Sequence, residues 1–366
     1  MVELVETTVF LMPGTRIELA RRFSLPRDFK SLVSTYSTIP ASLFRDSVGS
    51  ITNCVHRCKH SCVLLQYRPM YSDTHFHFKH FTDDHEDGSS FGADVLTQMA
   101  KNDVFFGLDI GTRCDDLLSR AQSIEESLGL IEDANIRAHA QKFVYFSAGI
   151  WPDPDEIRDR YACMETLRET IDEFRESDSI FAKKLVAIGE GGLDHHWNPS
   201  GADGRDQSDF DEELLWGERE LFQMQLEFAR ELNLPFIIHS RDAFRETLEC
   251  IRETGYDRGV IHCYSYGLSE AKAFLDRGWY IAFGGGTTYT KKAKMDDMIA
   301  LLQYVPDDRI LLETDSPYLA PVPLRGELNN PNNIRYTYEF IATRRNTTPS
   351  HLSKLVDKNI KELFKI

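Results

Sequence analysis

From Tyr71 onward this chain repeats one pattern eight times: a short β-rich run, then a longer stretch of helical character. The runs are YSDTHFHF at 71–78, VFFGLDIG at 104–111, FVYFSAGI at 143–150, KLVAIGEGG at 184–192, PFIIHS at 235–240, GVIHCYS at 259–265, WYIAFGG at 279–285 and RILLETDS at 309–316. Between them lie amphipathic stretches such as ELFQMQLEFARELN at 220–233 and LSEAKAFLDRG at 268–278. Strands alternating with helices predict parallel βα units, and eight such units predict an α/β fold closed into a (β/α)8 TIM barrel over residues 71–366. The acidic stretch NPSGADGRDQSDFDEE at 198–213 reads as a long, solvated βα loop after the fourth strand.

Residues 1–70 lack this organisation. Short apolar scraps are broken by Pro13, Gly14, Pro26, Pro40 and Gly49 with no sustained period, which predicts a poorly ordered N-terminal extension. Within it, CVHRCKHSC spaces Cys54, Cys58 and Cys62 four apart with His56 and His60 between. Zinc sites of this kind pair with a second, distant couple of ligands, and none follows in the segment, so the cluster reads as incidental. Seven cysteines without a regular framework fit a reducing compartment. No apolar run approaches the ~20 residues of a membrane helix, and the start lacks a signal peptide's basic flank, so the expected location is cytoplasmic, with no membrane contact and no obligate protein partner.

A hydrophobic content of 42% is enough for a sizeable core. The net charge of −16 argues against broad adhesion to nucleic acid, whose phosphates are bound mainly by Lys and Arg. It leaves a nuclease possible, because bound cations can supply positive charge where a phosphate sits.

In a barrel of this type the C-terminal strand ends share one mouth, so polar residues ending several strands converge. Strand one closes with His75 and His77, two apart and on one side of an extended chain; strand four ends with Glu190, strand five with His239, strand six with His262 and strand eight with Asp315. Four imidazoles and two carboxylates form a mixed nitrogen and oxygen set suited to one or two divalent cations such as Zn2+, Mn2+ or Mg2+. Taken singly each would pass for an ordinary polar residue at a barrel mouth. Six at one end of five strands point to a metal-dependent hydrolase.

The segments DTHFHF, IGEGGLDHHW, IIHSRDA, IHCYS and LLETDSPYLAP, followed by RGELNNP, resemble in order the signature of the TatD family of metal-dependent hydrolases, over essentially residues 71–366. The resemblance implies an amidohydrolase-type barrel with His75, His77 and Asp315 on one metal, His239 and His262 on a second, and Glu190 bridging. It also implies hydrolysis of phosphodiester bonds in DNA, often from the 3′ end. Two cations ~3.5–4 Å apart would activate a water and neutralise phosphoryl charge. Asp315 is then the natural proton acceptor, which makes Asp315 and Glu190 the catalytic pair. Glu313 is expected to orient a ligand histidine, and Arg241 and Arg325 to clamp phosphate.

Three positions depart from the family pattern. GIWP places Trp151 where relatives carry a histidine, RGELNNP carries Glu327 and Leu328 where relatives carry basic residues, and His195 and His196 replace a common aromatic pair. These departures keep open an ester or amide hydrolase on the same scaffold, for example a D-aminoacyl-tRNA deacylase. A non-catalytic binding module is the weaker alternative, since none of the six ligands is missing.

Overall fold

The computed structural model describes residues 71–196 and 211–366. The N-terminal extension with its Cys54, Cys58 and Cys62 cluster, and most of the acidic stretch after strand four, lie outside the described residues. The eight expected runs form eight strands: β1 (Asp73–Phe76), β2 (Gly107–Asp109), β3 (Val144–Ala148), β4 (Leu185–Asp194), β5 (Phe236–Arg241), β6 (Gly259–Ile261), β7 (Tyr280–Phe283) and β8 (Ile310–Leu312). They pair in parallel in sequence order. β8 returns to β1 through the Phe76–Ser316 bridge, with the Asp315 N–H donating to the His75 carbonyl (2.9 Å) and the His77 N–H to that of Ser316 (2.8 Å). The sheet thereby closes on itself at the end where the candidate ligands sit.

Helices cover the outside. α1 (Phe78–Asp83) and α2 (Gly88–Lys101) follow β1; α3 (Leu117–Gly129) and α4 (Ala134–Phe143) follow β2; α5 (Pro154–Arg158) and α6 (Arg160–Glu176) follow β3. α7 (Glu212–Leu232) follows β4, α8 (Phe244–Thr254) β5, α9 (Leu268–Leu275) β6 and α10 (Met295–Tyr304) β7, while α11 (Ile334–Arg344) and α12 (Pro349–Phe364) follow β8. α7 shows why such segments turn helical. Leu214, Leu221, Phe222, Gln225, Leu226 and Ala229 recur at helical spacing and are buried, and Asn233 ends the helix in the left-handed region. Its start corrects the expected loop boundary. Asp211 caps the helix by accepting the Leu214 N–H (2.8 Å), and Glu212 and Glu213 occupy the first turn, where the helix dipole favours acids.

Two buried polar devices fix the mouth. The Arg120 guanidinium of α3 pairs with Asp109 at the end of β2 and with Asp116 (2.9 Å), and donates to the Ser147 carbonyl of β3 (2.7 Å). Asp109 also accepts the Phe78 N–H (2.9 Å), so one ion pair ties β2, β3 and α1 together. Buried Gln225 of α7 exchanges two hydrogen bonds with the backbone of Ile150, 2.8 Å and 2.9 Å, which holds the chain just before Trp151.

Candidate metal centre

β1 presents His75 from inside the barrel and His77 one residue past its end, both buried. β4 runs further than the sequence suggested, to Asp194, so Glu190 lies within the strand rather than at its end. The reason is that β4 stays paired with β5 as far as Asp194–Arg241 after its pairing with β3 stops at Ile188. At Gly192, a β-carbon would collide with the His239 carbonyl oxygen, and φ is +148°, so glycine alone lets β4 approach the segment carrying His239. His262 directly follows β6, and Asp315 lies three residues past β8 in the left-handed region, at φ 56°.

The six side chains converge. Glu190 Oε2 lies 3.1 Å from His75 Nε2 and 3.0 Å from His262 Nε2. On one side His75 and His77 face each other, Nε2 to Nε2 at 3.3 Å, with Asp315 Oδ1 at 3.7 Å and 3.5 Å. On the other, His239 Nδ1 is 3.2 Å from His262 Nε2. The His75 and His262 rings stack at 4.0 Å.

This donor set fits divalent cations. Imidazole nitrogens that face one another at 3.2–3.3 Å repel unless a proton or a cation lies between them. Glu190 Oε2, buried amid these rings, has no hydrogen-bond partner among the described residues. Burial opposes ionisation of Glu190, but the His262 and His75 rings outweigh it and hold the carboxyl well below its ordinary range. Burial likewise opposes charge on His262, yet Glu190 and Glu313 push it up to about 9. Charge of both signs is packed here out of water, as in sites built for an ion.

Further polar and aromatic groups surround the six candidate ligands. Glu313, fully buried, accepts the Cys263 N–H and lies 3.6 Å from His262 Nδ1, which places it beside one of the candidate ligand histidines. Arg241 reaches 4.0 Å from Asp194 with its side chain 39% exposed at the mouth. Arg325 stacks on the Tyr289 ring at 4.3 Å in the exposed loop after β8, which also carries Glu327 and Leu328. The Trp151 ring stands edge-on to His239 at 5.7 Å. Neither His195 nor His196 is fully buried: His195 lies 3.4 Å from buried Glu218, and His196 bonds Asp242 at 2.7 Å.

Residues 72–365 match the family described as TatD related DNase. The chain belongs to the TatD family. It is 32% identical over 279 residues, 75% of this chain and 88% of the relative, to the uncharacterized metal-dependent hydrolase YcfH of Escherichia coli K12. It is 30% identical over 189 residues, 50% of this chain and 67% of the relative, to the 3'-5' ssDNA/RNA exonuclease TatD of Salmonella typhimurium. Among solved structures it is similar to the TatD homologue YJJV of E. coli K12, with a TM-score of 0.61 at 23% identity, covering 81% of this chain and 98% of that one. With the TatD family comes the reaction class, metal-dependent hydrolysis.

Two polar residues of this TatD site were not singled out from the sequence. Asp194 Oδ2 lies 3.1 Å from His239 Nε2; when that nitrogen carries the proton, Nδ1 turns its lone pair towards His262. Asp73, fully buried, accepts the N–H of His75 (3.2 Å) and both the N–H (3.0 Å) and hydroxyl (2.6 Å) of Thr314, pinning the segments that carry His75 and Asp315. Both stand inside quoted motifs, in GLDHH and SDTHFH, but an acid beside histidines gives no sign of which way it faces.

Proposed function

We propose that this chain hydrolyses phosphodiester bonds in DNA, as a 3′–5′ exonuclease, with two divalent cations of the Mg, Mn or Zn group. The observation that carries the reading is Glu190 Oε2 equidistant between His75 and His262, with His77 and Asp315 on one side and His239 on the other. His75, His77 and Asp315 would hold one ion, His239 and His262 the other, and Glu190 both. When bound, such ions supply an activated water and offset the charge on the attacked phosphoryl group. Asp315 accepts the water's proton on its carboxylate; its side chain is 13% exposed, against 6% for Glu190 and 1% for Glu313, so it alone of the three opens appreciably to the mouth. Arg241 and Arg325 grip phosphate oxygens, and Trp151, 5.7 Å from His239 between ring centroids, supplies an aromatic ring for a base to stack on. In this reading the hydrolase domain is residues 71–366.

The exposed Glu327 and Leu328, where basic residues would strengthen a phosphate grip, favour a second reading as an ester or amide hydrolase. Digestion of 3′-labelled and 5′-labelled single-stranded DNA with Mg2+, Mn2+ or Zn2+ separates the two. Wild type should shorten DNA from the 3′ end and Glu190→Ala should lose activity by ~10^2–10^3-fold, as when a charge-stabilising group of a hydrolytic site is removed. Intact DNA under all three metals, with turnover of an ester panel, would replace the nuclease reading by the second.

A further inference from the structure

We propose that Cys114, Glu156 and Cys163 form a separate metal site for one soft or borderline divalent cation of the zinc class. The two sulfurs and a Glu156 carboxylate oxygen lie within 4.8 Å of one another, and none of the three residues belongs to the histidine-rich groups. They come from three elements: Cys114 from the loop after β2, Glu156 from α5 and Cys163 from α6. Both cysteines are free and partly exposed, so an ion can reach them.

Glu156 points to a ligand independently of the thiols. Its side chain is 4% exposed; Oε1 accepts the Cys114 N–H at 3.2 Å, while Oε2 is buried with no hydrogen-bond partner among the described residues. A buried carboxylate oxygen without a donor is costly, and a cation held beside the sulfurs removes that cost. Arg113 answers it only in part, approaching Oε1 at 3.8 Å from a side chain 57% exposed that is free to swing into water. Two thiolates and a carboxylate match the preference of zinc-class ions over Mg2+ or Ca2+, and three protein donors leave a coordination position for water. Loading exchanges the cation for the two thiol protons, which leave to solvent.

The place gives the site a consequence. The Thr112 carbonyl, two residues before Cys114, accepts the Trp151 N–H at 2.8 Å, and Glu156 follows Trp151 by five residues. An ion here clamps the β2 and β3 loops together behind the residue that stands against His239.

The test uses the full chain carrying C54S, C58S and C62S, reduced with a phosphine and titrated with Cd2+ while the cadmium–thiolate ultraviolet band is followed. A saturable band is expected, lost in C114S and in C163S, retained in E190Q, and shifted to about tenfold weaker affinity in E156Q, a change of about 1.4 kcal/mol. Circular dichroism shows whether the serine variants remain folded, and if either unfolds, the E156Q shift decides. No band in the reduced protein, a band of undiminished strength in C114S and C163S, or an E156Q affinity equal to wild type overturns the proposal.

Discussion

Glu190 and Asp194, four residues apart on β4, divide the labour of this centre: one faces both groups of histidines, the other sits behind one histidine and selects its proton. Because His239 presents Nδ1 to the centre only while Nε2–H is satisfied, the carboxylate behind it sets the ring's tautomer and orientation. On the proposed two-ion arrangement, Asp194→Ala should therefore weaken binding of the ion beside His239 by about 10–100-fold, the usual effect of removing such a partner, and leave the ion beside His75 and His77 much less affected. Calorimetric titration with Mn2+ resolves the two affinities. Equal weakening of both would mean that the two positions are one coupled site.

At the scale of whole elements, what was legible follows from the chemistry that each signal reports. All eight strands could be read because a barrel strand needs an apolar run, and the convergence of the six candidate ligands could be read because histidines at strand ends have few other reasons to recur. Six of the eight strands are shorter than their runs, β6 and β8 having three residues each, because those runs take in residues such as His262 and Glu313–Ser316 that lie past the last paired position. β4 is longer than expected, since the glycines that seemed to end it are what let it lie against β5. Links between distant elements left no local pattern at all. Asp357 of α12, mostly buried, accepts the Ser72 hydroxyl at 2.6 Å beside the start of β1, and burial pushes its carboxyl up to about 6. That folded value lies above an unfolded aspartate's, so protonation favours folding; the contribution is complete below about pH 4 and fades as pH rises through about 6. Asp357→Asn, which mimics the protonated form, should gain up to about 3 kcal/mol of stability relative to wild type between pH 4 and pH 7, from roughly two units at 1.36 kcal/mol each. Urea unfolding of both proteins across that range checks it, and a constant difference would mean that Asp357 titrates normally.

For the molecule as a whole, the proposed function requires a strongly acidic chain to receive a polyanion. Residues 1–70 hold nine Lys/Arg and five Asp/Glu, net +4 of the chain's −16, which leaves −20 for residues 71–366. Most nucleic-acid binders draw their affinity from many Lys and Arg contacts and lose it steeply with salt, because each neutralised phosphate releases counterions. Here the proposed grip has two arginines, Arg241 and Arg325, and the rest of the positive charge would arrive with the ions. Two side-chain contacts on single-stranded DNA predict a slope of about −1.4 when log(kcat/KM) is plotted against log[KCl] at fixed Mn2+. Repulsion from the acidic surface, itself screened by salt, makes the slope flatter still. A slope steeper than about −3.5, the value for five phosphates neutralised by side chains, would mean that a basic track beyond these two arginines carries the strand, and ion-centred recognition would have to be abandoned.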